Sequence, residues 1–318
     1  MGGSWYHGNV PKRPPEGIVP AVVTPFREDE RIDFSAWQTI LDSLIGAGVD
    51  GVLVAGGQGE FFSLDDEERT VVLRFCKQAV AGRVTLYGNV GCVTTRATVK
   101  LAQAGEAEGL DYLVVITPYY LKPTQQELAD HYIEVCRAVH VPVLAYNIPE
   151  RTGVELEPAT VAQIAGRCEN FLGLKDSSGH LERIVEMRTA IPGRELAVFV
   201  GRDHLIVPAL ERGAVGAVAA CANVAPKLFV DLYRAFREGN REEAVRLQAL
   251  AGMLRETFTL HTFPSVVKEA MRMAGLPAGH CRRPVGPMPE KAQQQLAAVI
   301  ARLREDNYLP HAPRAVPA

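Results

Sequence analysis

Short apolar runs alternate along the chain with longer segments that carry helix signals. The runs hold almost no charged residues, and glycine or proline flanks many of them. Strands that are apolar on both faces are typical of a parallel sheet covered by helices. Eight such runs predict eight strands, over residues 18–24, 52–55, 84–88, 112–117, 141–146, 171–175, 196–200 and 215–220.

A helix is predicted after each strand. Asp33 has the side chain of an N-cap, and the helix after it should run to Ile45. Ser63 is expected to cap a second helix, through Val80, whose acidic first turn suits the helix dipole. Further helices are predicted over residues 95–108, 124–139, 157–168, 181–191, 204–212 and 226–238, and three more over 241–258, 264–273 and 289–303.

Eight strand–helix units without a break in composition predict an α/β protein built as a closed (β/α)8 TIM barrel. A doubly wound open sheet is the alternative for the same alternation. The last three helices would form a C-terminal helical extension. The predicted division is a flexible N-terminal arm (1–16), the barrel (17–239), the C-terminal helical extension (240–305) and a loose tail (306–318).

The composition narrows the class of partners. The chain has 318 residues and a formal net charge of −3, with no basic block, which argues against a nucleic-acid partner. No apolar stretch is long enough to span a membrane, and the N-terminal residues lack the apolar core of a signal peptide. Six scattered cysteines without CxxC spacing indicate reduced thiols and a cytoplasmic protein. The histidines are scattered too, so neither a zinc site nor a metal-dependent lyase is expected.

Candidate chemistry lies just past the strands, where barrel enzymes build their active sites. Lys175 ends the sixth predicted strand. Burial disfavours a charged ammonium, and an uncharged lysine amine can attack a carbonyl to form a Schiff base. A strand-end lysine taken alone is more often solvated. The interpretation of Lys175 therefore depends on the other residues at the same edge of the barrel.

Three further segments follow other strands. Gly57 and Gln58 lie in a Gly-rich run after strand two, where backbone N–H groups can cradle a carboxylate, although a plain turn is the alternative. Tyr120 follows strand four and can relay protons or pack at a subunit contact. Tyr146 ends strand five. Arg151 follows it, and its planar guanidinium can bind a carboxylate; a surface ion pair is the alternative. Together with a lysine, these groups suit a 2-oxo acid substrate.

Six spaced motifs in a fixed order carry a resemblance to a known family. They are GGQGE (56–60), TPYYLKPTQ (117–125), YNIPERTG (146–153), GLKDSSG (173–179), GRD (201–203) and ANVAP (222–226). From about Gly17 to Leu303 the chain resembles the dihydrodipicolinate synthase / N-acetylneuraminate lyase family of pyruvate-dependent class I aldolases. The resemblance implies a TIM barrel, a metal-independent lyase with no cofactor beyond a covalent Schiff base, and a homotetramer built as a dimer of dimers.

The resemblance also implies roles for the catalytic candidates. Lys175 would form the Schiff base with pyruvate or a related 2-oxo acid. Tyr146 would be the general acid and base close to the Schiff-base carbon. Tyr120 matches a tyrosine that a neighbouring subunit inserts into the site to complete a proton relay.

The binding residues implied by the resemblance include two departures from the family pattern. Arg151 matches the arginine that synthases use for the carboxylate of the second substrate, and the backbone carbonyl near Val218 would face the bound pyruvate. Gly57 and Gln58 stand where most members carry Thr-Thr or Ser-Thr to bind the substrate carboxylate. The usual Tyr–Thr–Tyr relay is therefore broken. A water is expected beside Gly57, and the Gln58 amide can still donate to a carboxylate.

Several functions stay open on this evidence. The first is aldol-type C–C bond formation between pyruvate and an aldehyde, as in 4-hydroxy-tetrahydrodipicolinate synthase, which Arg151 favours. The GGxGEFFS pattern is instead similar to branches that act on 2-keto-3-deoxy sugar acids as aldolases or dehydratases. An inactive ligand-binding barrel is the remaining hypothesis, motivated by the missing threonine.

Overall fold

A computed structural model of the chain describes residues 13–309. The expected arm (1–16) and tail (306–318) lie mostly outside the described residues. At one end of the described range, Arg13 Nη1 donates a hydrogen bond to the carbonyl oxygen of Arg83 at 3.0 Å. At the other end, Leu309 is 7 % exposed and packs on the core.

Strands and helices alternate as the sequence predicts. The strands are β1 (Gly17–Pro20), β2 (Gly51–Val54), β3 (Thr85–Asn89), β4 (Tyr112–Ile116), β5 (Val143–Asn147), β6 (Phe171–Asp176), β7 (Ala197–Val200) and β8 (Gly216–Ala219). The helices around them are α1 (Phe34–Gly46), α2 (Asp66–Val80), α3 (Thr95–Ala107), α4 (Gln125–Arg137), α5 (Pro149–Thr152), α6 (Pro158–Arg167), α7 (Glu182–Arg188), α8 (Ile206–Glu211) and α9 (Pro226–Arg237). The extension adds α10 (Arg241–Glu256), α11 (Ser265–Met273) and α12 (Glu290–Glu305).

The eight strands form one parallel sheet that closes on itself. Each strand from β2 to β8 pairs with its neighbour in sequence, and β8 pairs with β1. Between β1 and β2, the Val22 N–H donates to Leu53 O at 2.8 Å and the Asp50 N–H donates to Ile18 O at 3.0 Å. The TIM barrel is therefore confirmed, and the doubly wound open sheet is wrong.

Two apolar layers hold the barrel together. The interior is filled by side chains that alternate strand residues point inward, among them Val19, Leu53, Tyr87, Leu144 and Phe199. A larger layer lies between the strands and the surrounding helices. Because both faces of every strand are buried, the strands show no polar alternation, which explains their continuous apolar character in the sequence.

The predicted N-caps were right for one helix and wrong for another. The Asp33 side chain accepts from the Ala36 N–H at 3.0 Å and caps α1. Ser63, in contrast, ends a short 3-10 turn and does not cap α2. Asp65 caps α2, because its carboxylate accepts from the Glu68 N–H at 2.8 Å while Glu68 accepts from the Asp65 N–H at 3.1 Å. This reciprocal capping box uses the acidic first turn that the sequence displays.

The C-terminal helices fold back on the barrel. Helix α10 packs along α9, and α11 and α12 pack on each other. The chain after α11 is fixed by Arg282, whose Nη1 lies 2.6 Å from Oε2 of Glu68 on α2. The segment between α10 and α11 lies at the end of the barrel where the strands terminate, beside Tyr146 and Lys175. In the described range, no helix is both long enough and apolar enough to cross a membrane.

Candidate active site

Lys175 faces the barrel interior because β6 is irregular. The pairing of β5 with β6 shifts at Gly173, and beyond the shift Lys175 pairs with Tyr146, whose side chain packs inside the barrel. Gly173 has φ +153°, and a Cβ there would lie 1.9 Å from the carbonyl oxygen of Ala197, so only glycine fits. Successive strand residues point to opposite faces, so the shift turns Lys175 inward and Leu174 toward the helices.

Lys175 and Tyr146 meet at the floor of a cavity of about 440 Å³. Their side chains are 6 % and 5 % exposed, and Lys175 Nζ lies 4.0 Å from the centroid of the Tyr146 ring. No carboxylate of the described residues lies within ion-pair distance of Lys175. The Lys175 amine is therefore buried beside a phenol, without an ion-pair partner among the described residues.

Gly57 and Gln58 also line this cavity. Gln58 is 5 % exposed, and its Oε1 accepts no hydrogen bond from the described residues. A Cβ at Gly57 would lie 3.4 Å from Cζ of Phe263. The water expected beside Gly57 would therefore share that space with an aromatic ring. Oε1 is an acceptor and suits a hydroxyl or water donor, so only the Nε2 group of Gln58 could donate to a substrate carboxylate.

A buried ion pair anchors the Gly57–Gln58 loop to the C-terminal extension. Glu60 is fully buried and Lys268 on α11 is 3 % exposed, with 2.5 Å between Oε1 and Nζ. The other oxygen of Glu60 accepts from the Arg282 N–H at 3.1 Å. Burial lowers the pKa of Lys268, and the Glu60 carboxylate opposes that shift. No local pattern could indicate this pair, because the two residues lie 208 positions apart.

The remaining predicted site residues divide into two groups. Val218 and Arg151 line the cavity, and the guanidinium carbon of Arg151 lies 4.0 Å from the Phe263 ring centroid. Tyr120 does not line it: the side chain is 99 % exposed, with a φ of 77° that non-glycine residues rarely adopt. The neighbouring Tyr119 takes its place in the cavity wall. In a single chain, Tyr120 is thus outside the site.

Sequence reasoning missed polar groups that follow β6 and β7. Ser177 is 3 % exposed and its hydroxyl has no hydrogen-bond partner among the described residues. Asp203 is 1 % exposed, and its Oδ2 is likewise unpartnered. Burial raises the pKa of Asp203. Arg202 Nη2 lies 2.5 Å from Oε2 of Glu150. The GRD motif after the seventh predicted strand was the available signal for Arg202 and Asp203.

The C-terminal extension supplies one wall of the cavity, which the sequence could not indicate. Phe258, Phe263, Val266 and Val267 contribute apolar surface, and Arg255 contributes a guanidinium. The guanidinium carbon of Arg255 lies 4.5 Å from the Phe258 ring centroid. These residues come from the end of α10 to the start of α11. Their position depends on how the extension folds back, not on any local pattern.

Between residues 13 and 309, no group of three or more His, Cys, Asp or Glu side chains is placed to hold a metal ion. The acidic and basic side chains of the cavity, apart from its two tyrosines, are a lysine, three arginines and two carboxylic acids. This set suits the binding of anionic ligands.

Comparisons with known proteins give close relatives over nearly the whole chain. A probable 2-dehydro-3-deoxy-D-pentonate aldolase of Escherichia coli K12 is 36 % identical over 290 residues, covering 89 % of this chain and 96 % of that protein. The 4-hydroxy-tetrahydrodipicolinate synthase of Archaeoglobus fulgidus is 35 % identical over 288 residues, covering 91 % of this chain and 98 % of the relative.

A solved structure and a family model agree with these relatives. The prophage protein YagE of E. coli K12, a member of the dihydrodipicolinic acid synthase family crystallised with pyruvate, has a TM-score of 0.88 and 33 % identity. The match covers 91 % of this chain and 98 % of YagE. The model of the dihydrodipicolinate synthetase family matches residues 14–303. The chain therefore belongs to the dihydrodipicolinate synthetase family.

Proposed function

We propose that this protein is a lyase or synthase that binds pyruvate, or a related 2-oxo acid, as a Schiff base on Lys175. The observation that carries the proposal is the buried Lys175 amine beside the Tyr146 phenol, in a cavity large enough for a small substrate. The membership in the dihydrodipicolinate synthetase family supports it. The reaction would need no metal and no cofactor beyond the covalent adduct.

The proposed chemistry follows from the groups in the cavity. Uncharged Nζ attacks the C2 carbonyl, and uptake of one proton with loss of one water gives the iminium ion. Removal of a proton from C3 gives an enamine, whose C3 attacks the carbonyl carbon of an aldehyde and forms the new C–C bond. Water then hydrolyses the iminium ion and releases Lys175. Cleavage is the same sequence in reverse. Tyr146 would move the protons, and the Gln58 amide would hold the carboxylate of the 2-oxo acid.

Two activities, which differ in the second substrate, are compatible with this chemistry. Our first choice is an activity like that of 4-hydroxy-tetrahydrodipicolinate synthase, supported by the relatives of that name and by the guanidinium of Arg151 in the cavity wall. An aldolase or dehydratase acting on a 2-keto-3-deoxy sugar acid is the second candidate, supported by the 36 % identity to a probable pentonate aldolase. Turnover measured with pyruvate plus aspartate semialdehyde, and separately with 2-keto-3-deoxy sugar acids, distinguishes them. Absence of turnover with the semialdehyde would exclude the synthase activity.

We also propose that the protein works in the cytoplasm as a homotetramer, a dimer of dimers in which Tyr120 enters the site of a neighbouring subunit. Tyr120 is almost fully exposed and its backbone has a costly positive φ. An ordered contact with another subunit would account for both. Sedimentation at several protein concentrations tests the assembly.

Borohydride reduction in the presence of pyruvate tests the central step. The expected result is a stable adduct whose mass maps to the peptide that contains Lys175. The Lys175→Ala variant is the matched control: it should give no adduct and no turnover, while its unfolding remains cooperative. An unmodified Lys175 in the wild-type protein would favour the inactive ligand-binding barrel.

A further inference from the structure

The cavity carries more positive than negative side chains. Six charged residues line it within the described part of the chain: the cations Lys175, Arg151, Arg202 and Arg255, and the acids Glu150 and Asp203. With all six ionised, two positive charges are in excess. The carboxylate of a 2-oxo acid balances one of them. A second anionic group on the substrate would balance the other.

Arg202 and Arg255 differ in the hydrogen bonds that they already make. Arg202 donates from Nη2 to Glu150, 2.5 Å away, and from Nε to the carbonyl oxygen of Ser177, 2.9 Å away. Arg255, in contrast, has its nearest carboxylate oxygen, Oδ2 of Asp203, at 3.9 Å from Nε, which is beyond hydrogen-bond reach. Burial raises the pKa of Asp203, and the charge of Arg255 opposes that shift. The guanidinium of Arg255 is therefore available for a ligand.

Arg255 also packs against an aromatic ring. Its guanidinium lies over the ring of Phe258, with 4.5 Å between the guanidinium carbon and the ring centroid, and its side chain is 25 % exposed. A guanidinium stacked on a ring keeps its N–H edge free for a planar acceptor. Partial burial strengthens an ion pair relative to one on the open surface. This combination favours a carboxylate, which accepts two parallel N–H bonds.

We propose that Arg255 binds a terminal carboxylate of the substrate and makes the enzyme prefer acid-ended over neutral-ended substrates. The substrate class would be a 2-oxo acid with a second carboxylate at its far end, assembled from or cleaved to an aldehyde that carries that carboxylate. The inference rests on the proposed function, since the 2-oxo end is held on Lys175. It assigns the specificity to a residue of the C-terminal extension.

The experiment is a titration of adduct formation under borohydride, which requires no knowledge of the natural substrate. The probes are the diacids 2-oxoglutarate and 2-oxoadipate, compared with the monoacids 2-oxopentanoate and 2-oxohexanoate. The measured quantity is the concentration of each probe that gives half-maximal adduct. Wild-type enzyme should trap the better diacid at a concentration about tenfold or more below its monoacid, as expected for a charged hydrogen-bonded contact.

Four variants locate the preference. Arg255→Gln should remove it, and Arg255→Lys should keep only part of it, because lysine retains the charge without the planar fork. Arg246→Gln is the matched control: Arg246 is on the same helix, pairs with Glu243 at the surface, and should leave the preference intact. Arg151→Gln should weaken it less than Arg255→Gln.

The outcomes separate this inference from the proposed function. A wild-type enzyme that traps diacids and monoacids equally would overturn the role of Arg255, and so would an undiminished preference in Arg255→Gln. A preference lost only in Arg151→Gln would move the carboxylate site to Arg151. In each of these cases the adduct still forms, and the proposed function stands. Absence of any adduct, with pyruvate included, would overturn both.

Discussion

Replacement of Lys268 by methionine tests whether the buried Glu60–Lys268 pair holds the carboxylate-binding loop in place. Methionine keeps most of the volume of lysine but carries no charge. In the variant, the Glu60 carboxylate would stay fully buried and would keep the backbone donor Arg282 N–H at 3.1 Å. The carbonyl oxygen of His280, which accepts from Lys268 Nζ, would lose that donor as well.

The magnitude follows from the burial of both partners. Breaking a buried ion pair on one side costs about 3–5 kcal/mol, because an uncompensated charge is left behind. The remaining N–H donor to Glu60 places the expected loss near the lower end, about 3 kcal/mol in the free energy of unfolding. The surface pair of Lys227 with Asp231 is the contrast: its lysine is 60 % exposed, and Lys227→Met should cost about 0.5 kcal/mol or less.

Urea unfolding at one fixed protein concentration measures both values, since assembly would otherwise shift the apparent stability. The double variant Glu60→Gln/Lys268→Met removes the stranded charge and should regain at least half of the loss. The half-maximal pyruvate concentration for adduct formation should rise in Lys268→Met, because Gly57 and Gln58 lose their anchor. A loss below about 1 kcal/mol, or a double variant no more stable than the single one, would refute the reasoning.

Three further predictions concern single side chains. Tyr146→Phe should lower kcat by about 10²- to 10⁴-fold without changing the thermal midpoint, and near-normal turnover would contradict its role as proton shuttle. Tyr120→Phe should lower kcat only in the assembled protein; a monomeric variant with an intact rate would overturn the assignment of Tyr120. His131 is 5 % exposed and burial lowers its pKa from 6.5 to about 4, so the unfolded chain binds the proton first as pH falls. The free energy of unfolding of the wild-type protein should therefore drop by about 3 kcal/mol between pH 6.5 and pH 4, measured by urea unfolding. In His131→Gln the free energy of unfolding should depend less on pH. The same pH dependence in both proteins would refute the role of His131.

The sequence alone determined the order of elements and the main reactive residues. Continuous apolar runs predicted buried parallel strands, and eight of them without a break predicted the barrel. Both properties depend on local composition and are visible along the chain. Tyr146 and Gln58 could be found in the same way, because barrel sites form where strands end. The N-cap of α2 was misplaced from Asp65 to Ser63, since two capping side chains lie close together and only backbone geometry chooses between them.

Tertiary structure alone decided which way those residues face. Lys175 points into the barrel only because the register shifts at Gly173, and an apolar run with one glycine does not specify such a shift. The position of Tyr120 outside the cavity depends on a positive φ that its flanking prolines did not indicate.

The residues of the C-terminal extension were beyond any local signal. Arg255 and Phe263 reach the cavity, and Lys268 reaches Glu60, through the folding back of a segment about 200 residues later in the chain. Contacts of that kind form when the closed barrel and the extension pack together. Periodicity and turn chemistry describe only near neighbours, so the strands could be predicted from the sequence, whereas the wall of the active site required the assembled fold.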